Sequence, residues 1–226
     1  MLDPAFIKRI EQIREKVFKG GVTEGNRALS TMLSLHTLPE ERIEILLSLI
    51  LIALACGTFD EACDYWDEIK ELVSKPMPTH VKLYSALFMY ADHKRKRALQ
   101  KFEECLLEVP DNFEFYLVRA LAFMDSSQHE HALADLDRAN TLSPNNVLVL
   151  SATAEVCMEL GQTERSIALN EAVLNACPNF RRSLISLGVQ YFNSDNPDAA
   201  YRLFQILVGN EPLNWFAWTC LGDIRF

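Results

Sequence analysis

The chain has 226 residues, 49% of them hydrophobic, and a net charge of -9. It is long enough to bury a sizeable core, and it lacks the clustered positive charge that binding to nucleic acid or anionic lipid requires. The six cysteines (Cys56, Cys63, Cys105, Cys157, Cys177 and Cys220) show no C-x-x-C pair and no zinc spacing, and most fall at apolar positions of helical patterns, as reduced core thiols do.

The opening "MLDPAFIKRI" is amphipathic and mixed in charge rather than a basic segment followed by an apolar core, so no signal peptide is read and a cytoplasmic location is expected. Asp3 and Pro4 supply an N-cap and a first helical position, and Phe6, Ile10, Ile13 and Val17 form an apolar stripe that ends at Gly20 and Gly21. A second short helix is predicted around Glu24 to Leu35, closed by "HTLPEE", with Pro39 starting the next. The longest apolar run, Ile45 to Gly57, has 13 residues. That is short of the roughly 20 needed to cross a bilayer, so it predicts a helix buried on every side, not membrane insertion. Leu47, Leu51 and Leu54 lie on the side that would otherwise face water, and the stripe beginning at Phe6 is the expected cover. Thr58 and Glu61 have the spacing of a capping box for the helix that follows.

From Thr79 the chain becomes periodic. Pro110, Pro144, Pro178 and Pro212 are evenly spaced, and units with the same interval begin at Thr79, Phe113, Val147 and Arg181. Each unit holds two segments of about 13 residues with helical apolar spacing, joined by a short polar turn such as "GQTE". A proline after the second segment has no N–H to donate and clashes with the previous turn, so it ends one hairpin and starts the next. In the unit at Arg181 the recurrent positions are Leu184, Leu187, Gly188, Tyr191, Ala200, Phe204, Leu207 and Pro212. The unit at Thr79 supplies Ala98, Phe102, Cys105 and Pro110, with Lys82 in the place of the first aromatic residue. The unit at Phe113 supplies Tyr116, Ala120, Phe123, Ala132, Leu136, Ala139 and Pro144, and the unit at Val147 supplies Leu150, Ala154, Gly161, Val173 and Pro178. An upstream unit from about Ile43 shows Gly57, Phe59, Ala62 and Trp66 and is slightly longer, and a further unit opens at Trp215 with Trp218, Leu221 and Gly222.

These residues resemble the tetratricopeptide repeat family, whose 34-residue pattern runs W-x-x-L-G-x-x-Y, then A, F, A and P. The resemblance covers about residues 43 to 226. It implies an all-α solenoid of stacked antiparallel helical hairpins in a right-handed superhelix, with units near 43–78, 79–112, 113–146, 147–180, 181–214 and a partial one at 215–226. Residues 1–42 would form a capping hairpin. In that family the first helices line a concave groove, which here would be built from Leu83, Leu87 and Tyr90; Leu117, Leu121 and Met124; Ser151, Glu155 and Met158; and Arg182, Ile185, Val189 and Phe192. The lysines, asparagines and arginines with which some members clamp acidic chaperone tails are replaced by leucine, serine and isoleucine. The groove therefore suits an amphipathic helix or an extended peptide with apolar anchors. The alternative occupant is the chain's own helix from Pro4 to Lys19.

"HKRKR", His93 to Arg97, falls at a turn between helices, where charges are ordinarily solvated. "HEH", His129 to His131, places its histidines at i and i+2, which do not share a helix face, so no metal is expected. No catalytic or phosphate-binding motif is present, and Asp135, Asp137 and Glu155 are spaced as surface carboxylates, so neither an enzyme nor a cofactor is expected. The expected function is a scaffold or adaptor for a protein or peptide partner. The alternative is a holdase-like chaperone for a secreted or membrane-bound client, similar to the type III secretion chaperones. The ending "WFAWTCLGDIRF" carries the signature of a first helix whose outer face needs a cover, supplied by a longer array or by a second copy in a homodimer.

Overall fold

The computed structural model describes residues 2–56, 58–73, 76–194 and 196–224, apart from the side chain at position 55. Among them there are thirteen helices and no strand. The first four are α1 (Pro4–Phe18), α2 (Val22–Leu35), α3 (Pro39–Cys56) and α4 (Phe59–Leu72). Then come four hairpins: α5 (Thr79–Ala91) with α6 (Arg95–Glu108), α7 (Phe113–Asp125) with α8 (His129–Leu142), α9 (Val147–Glu159) with α10 (Thr163–Ala176), and α11 (Arg181–Asn193) with α12 (Pro197–Asn210). α13 (Trp215–Ile224) follows. The starts of α5, α7, α9, α11 and α13 keep the interval of the four prolines, as do those of α6, α8, α10 and α12. The chain forms two compact units, residues 1–149 and 150–226, with the boundary inside α9.

Two local devices set this period. The residue before each proline is forced out of the helical region by the proline ring. Val109, Ser143, Cys177 and Glu211 accordingly have φ between -139° and -130° and ψ between 74° and 85°, and each closes the second helix of its hairpin. At the other turn, His93, Ser127 and Gly161, which share one register position, adopt φ of 59°, 58° and 73°. Their N–H groups bond back to the carbonyls of Tyr90, Met124 and Met158, and the next N–H reaches Met89, Phe123 and Cys157, which together make a Schellman ending of the first helix. The same pair of bonds ends α1 at Gly20, where φ is 106°. Only one of the three interhelix positions is glycine, so two side chains accept left-handed strain to keep the turn.

Between the turns, small residues on the first helix recur in step with the interior residues of the second. Ala86, Ala120, Ala154 and Gly188 share one register position, and Phe102, Leu136, Asn170 and Phe204 share another; the first three of each set are buried, as is Phe204. At Gly188, also buried, the fit between the two positions is close: an added Cβ would lie 2.8 Å from Cζ of Phe204. Phe204 joins Leu184, Ala200, Leu207, Ala217 and Leu221 in one core. Unlike its counterparts, the hairpin α9–α10 places Ser166 and Asn170 at interior positions. There the Ser166 hydroxyl donates to the carbonyl of Ala154 (2.8 Å), while the Gln190 amide donates to the Oγ atoms of Ser166 and Ser186 (3.0 Å each). The donors of this polar interior find acceptors across helices, a pairing that periodicity does not reveal, while the Gln190 carbonyl oxygen has no hydrogen-bond partner.

In the N-terminal unit, Asp3 caps α1 through Ala5 N (3.1 Å), as expected. α1 packs on α2 and α3, and Gly25 of α2 lets the backbones close: a Cβ there would come within 2.1 Å of Cγ2 of Val17. α3 is buried on all sides, including Leu47, Leu51 and Leu54. The capping box expected at Thr58 and Glu61 does not form. The Thr58 hydroxyl donates to the carbonyl of Ala53 (3.2 Å) and lies 3.3 Å from the Glu61 carboxylate, so it caps the preceding helix end and accepts no N–H from α4. Gly57 lies outside the described residues.

Gly188 and Gly222 occupy one register position in successive repeats but meet opposite surroundings, since nothing lies within 4 Å of a Cβ built on Gly222. Gly188→Ala is expected to destabilise by about 1–3 kcal/mol through overpacking. Gly222→Ala is expected to be neutral or to stabilise by up to about 1 kcal/mol through helix propensity. Thermal unfolding of the two variants checks the opposite signs.

Candidate functional site: the first-helix faces

The thirteen residues expected to line a groove fall into two groups. In the N-terminal unit, Leu83, Leu87, Tyr90 and Leu117 are buried (1%, 4%, 1% and 0% exposed), while Leu121 and Met124 are half-buried. The first four are therefore corrected from solvent-facing to covered positions. Tyr90 is covered by the next turn, since its hydroxyl lies 2.8 Å from Ser126 Oγ and accepts from the Gln128 amide at 2.9 Å. α1 meets the start of α7. Arg14 pairs with Glu114, the second residue of α7, and Phe18 meets Phe113 edge to face at 5.0 Å. Burial pushes the Tyr84 hydroxyl of α5 up to about 12, with Arg14 opposing and Glu44 adding to the rise. α1 thus reaches the first helices of successive repeats, and periodicity alone could not show this because it is a contact between the repeats and a non-repeating segment.

In the C-terminal unit the corresponding faces are more open. Ile185 and Val189 are half-buried and Phe192 is 43% exposed. Two of the expected residues pair with each other, Arg182 Nη1 lying 3.1 Å from Glu155 Oε2 without the alignment of a hydrogen bond. Met158 is half-buried, whereas Ser151 is buried with a hydroxyl that has no hydrogen-bond partner. Beside Ile185, a cleft of about 700 Å³ extends to Leu213, Trp215 and Phe216, with the Arg181–Glu211 ion pair (3.1 Å) at its edge. Leu213 and Trp215 are largely exposed. They are the apolar residues that the sequence reading of the groove missed, although the tryptophan was legible in the motif at Trp215.

Other candidate motifs have local partners. Lys94 pairs with Asp92, Arg95 lies 5.8 Å from the Tyr90 ring, and His131 packs against Phe123 at 5.5 Å. Asp135 is held by Arg119 through two bonds of 2.7 and 2.6 Å. The Trp218 indole donates to the Pro212 carbonyl (2.9 Å), as the Tyr116 hydroxyl does to that of Pro110 (3.0 Å), so this ring anchors the repeat junction while remaining 55% exposed. Among the described residues no group of three His, Cys, Asp or Glu is placed to hold a metal, and no helix is long and apolar enough to cross a membrane.

Tyr84 gives this region a pH signature. An unfolded tyrosine ionises near 10 and the folded one at about 12, so its contribution is complete below pH 10 and is lost as pH rises from 10 to 12. The loss is on the order of 2–3 kcal/mol. Alkaline unfolding followed by circular dichroism is expected to be shallower over that window in Tyr84→Phe.

No family model and no curated protein sequence matches the chain. Solved structures do. Yeast Tom70 superposes with a TM-score of 0.61 at 17% identity, covering 90% of this chain, which spans 42% of the Tom70 chain. A thermophilic tetratricopeptide-repeat protein of Thermus thermophilus superposes at 0.58 with 17% identity, covering 81% of this chain and 98% of its own. YrrB, a tetratricopeptide-repeat protein, superposes at 0.53 with 17% identity, covering 85% and 96%. With the evenly spaced hairpins, the proline-closed second helices and the small-residue seats, these likenesses show that the chain has the tetratricopeptide-repeat fold.

Proposed function

We propose that the chain is a protein-interaction scaffold or adaptor that holds an apolar segment of a partner polypeptide against its first-helix faces, without catalysis and without a cofactor. The observation that carries this reading is the open apolar face of α11, where Ile185, Val189 and Phe192 line one side of the helix beside the cleft at Leu213 and Trp215. Core packing gives no reason for an aromatic residue to stand 43% exposed next to two aliphatic ones, whereas burial against a partner does. Leu121 and Met124 offer a smaller apolar face in the N-terminal unit. Precedent within the fold comes from YrrB, which has an unusual peptide-binding site. We place this role in the cytoplasm, and extend it to self-association through the exposed Trp215 and Trp218 of α13.

Peptides selected from a displayed library on the wild-type chain are expected to lose at least tenfold in affinity for Phe192→Asp, with the thermal midpoint of that variant nearly unchanged because the side chain is exposed. Enriched peptides that bind the variant as well as the wild type would defeat the reading. A chain that instead keeps an unfolded client soluble without sequence preference would favour a holdase.

A further inference from the structure

We infer that α1 occupies, within the chain, the seat of a partner helix on the first-helix faces of the N-terminal unit. The partner that exchanges with it is an amphipathic helix presenting a basic side chain and, one turn later, an aromatic one. This deepens the groove reading above and rests on it.

The seated helix supplies the description of its competitor. Arg14 and Phe18 are spaced i, i+4 and so share one face of α1. They meet Glu114 and Phe113, which open α7. Arg14 also lies near enough to Tyr84 of α5 to oppose the rise that burial causes there, so one arginine addresses the first helices of two successive repeats. The carboxylate it meets is largely sheltered, Glu114 having a side-chain exposure of 13%. Charge agrees with this arrangement. Residues 4–19 carry Lys8, Arg9, Arg14, Lys16 and Lys19 against Glu11 and Glu15, a net of +3. The rest of the chain therefore carries -12, from -9 minus +3.

The contact is one-sided. α1 itself is held along a single face, through Phe6, Ile10 and Val17, and leaves Ile7, Lys8, Arg9 and Glu11 in solvent. It joins the body through the glycine turn at Gly20 and Gly21. A tethered segment of this kind competes at high effective concentration, so a free ligand for the same seat shows an affinity reduced by the fraction of time the seat is open.

The probe is a fluorescein-labelled peptide of residues 4–19, titrated with the intact chain and read by anisotropy, alongside hydrogen exchange of residues 4–18 in the chain itself. The Arg14→Glu chain, whose own α1 is repelled by Glu114, is expected to bind the wild-type peptide at least tenfold more tightly than the wild-type chain does. Its α1 amides should exchange at least tenfold faster. In the Arg14→Glu/Glu114→Arg chain, α1 protection should return and wild-type peptide binding should fall to the wild-type level. A peptide carrying Arg14→Glu should bind the Glu114→Arg chain. Arg9→Glu, the same charge change on the exposed face, should alter nothing. Equal peptide binding by the wild-type and Arg14→Glu chains overturns the inference, as does an Arg14→Glu effect that the double variant fails to reverse or that Arg9→Glu shares. Because no foreign partner enters this experiment, its outcome is separate from that of the selection on the α11 face.

Discussion

A proline that removes one N–H and forbids helical geometry to the residue before it sets the architecture of this chain. Val109, Ser143, Cys177 and Glu211 all take the same non-helical conformation for that reason, and each releases the chain from its second helix at the same point in the repeat. Once the period is fixed, the seat of each second helix follows. The interval from Gly188 to Phe204, which arrives over it, is also the interval from Ala86 to Phe102 and from Ala120 to Leu136. Neither helix of a hairpin buries its own apolar face, so stacking supplies most of the stability.

Repetition made most of this fold legible in the sequence. The boundaries of α5 to α13 follow from the four prolines, and the all-round burial of α3 follows from its unbroken apolar run. What was not legible depends on contacts between segments distant in sequence. The Ser166–Gln190–Ser186 network puts polar residues where the pattern calls for apolar ones, and it is stable because each donor finds an acceptor on another turn or helix. The left-handed turns at His93 and Ser127 lack the glycine that would have announced them, yet the Schellman bonds hold them in place. Thr58 has the spacing of a capping box and spends its hydroxyl on the helix behind it.

For the site, the register located the first-helix faces but could not say which were covered. Leu83, Leu87 and Leu117 look like the same surface residues as Ile185 and Val189 when read in sequence, yet they are buried, in a unit where Arg14 and Phe18 bring α1 to the start of α7. The functional account therefore turns on two different environments for one repeated position. One is closed beside a basic helix of the same chain, and the other is open beside exposed aromatic residues.

Carbene footprinting of the intact chain in dilute solution addresses that difference most directly, since the reagent inserts into apolar side chains according to their exposure. Phe192, Val189 and Ile185 are expected to label well above Leu83, Leu87 and Leu117. Labelling of Leu83 and Leu117 at the level of Phe192 would contradict the account.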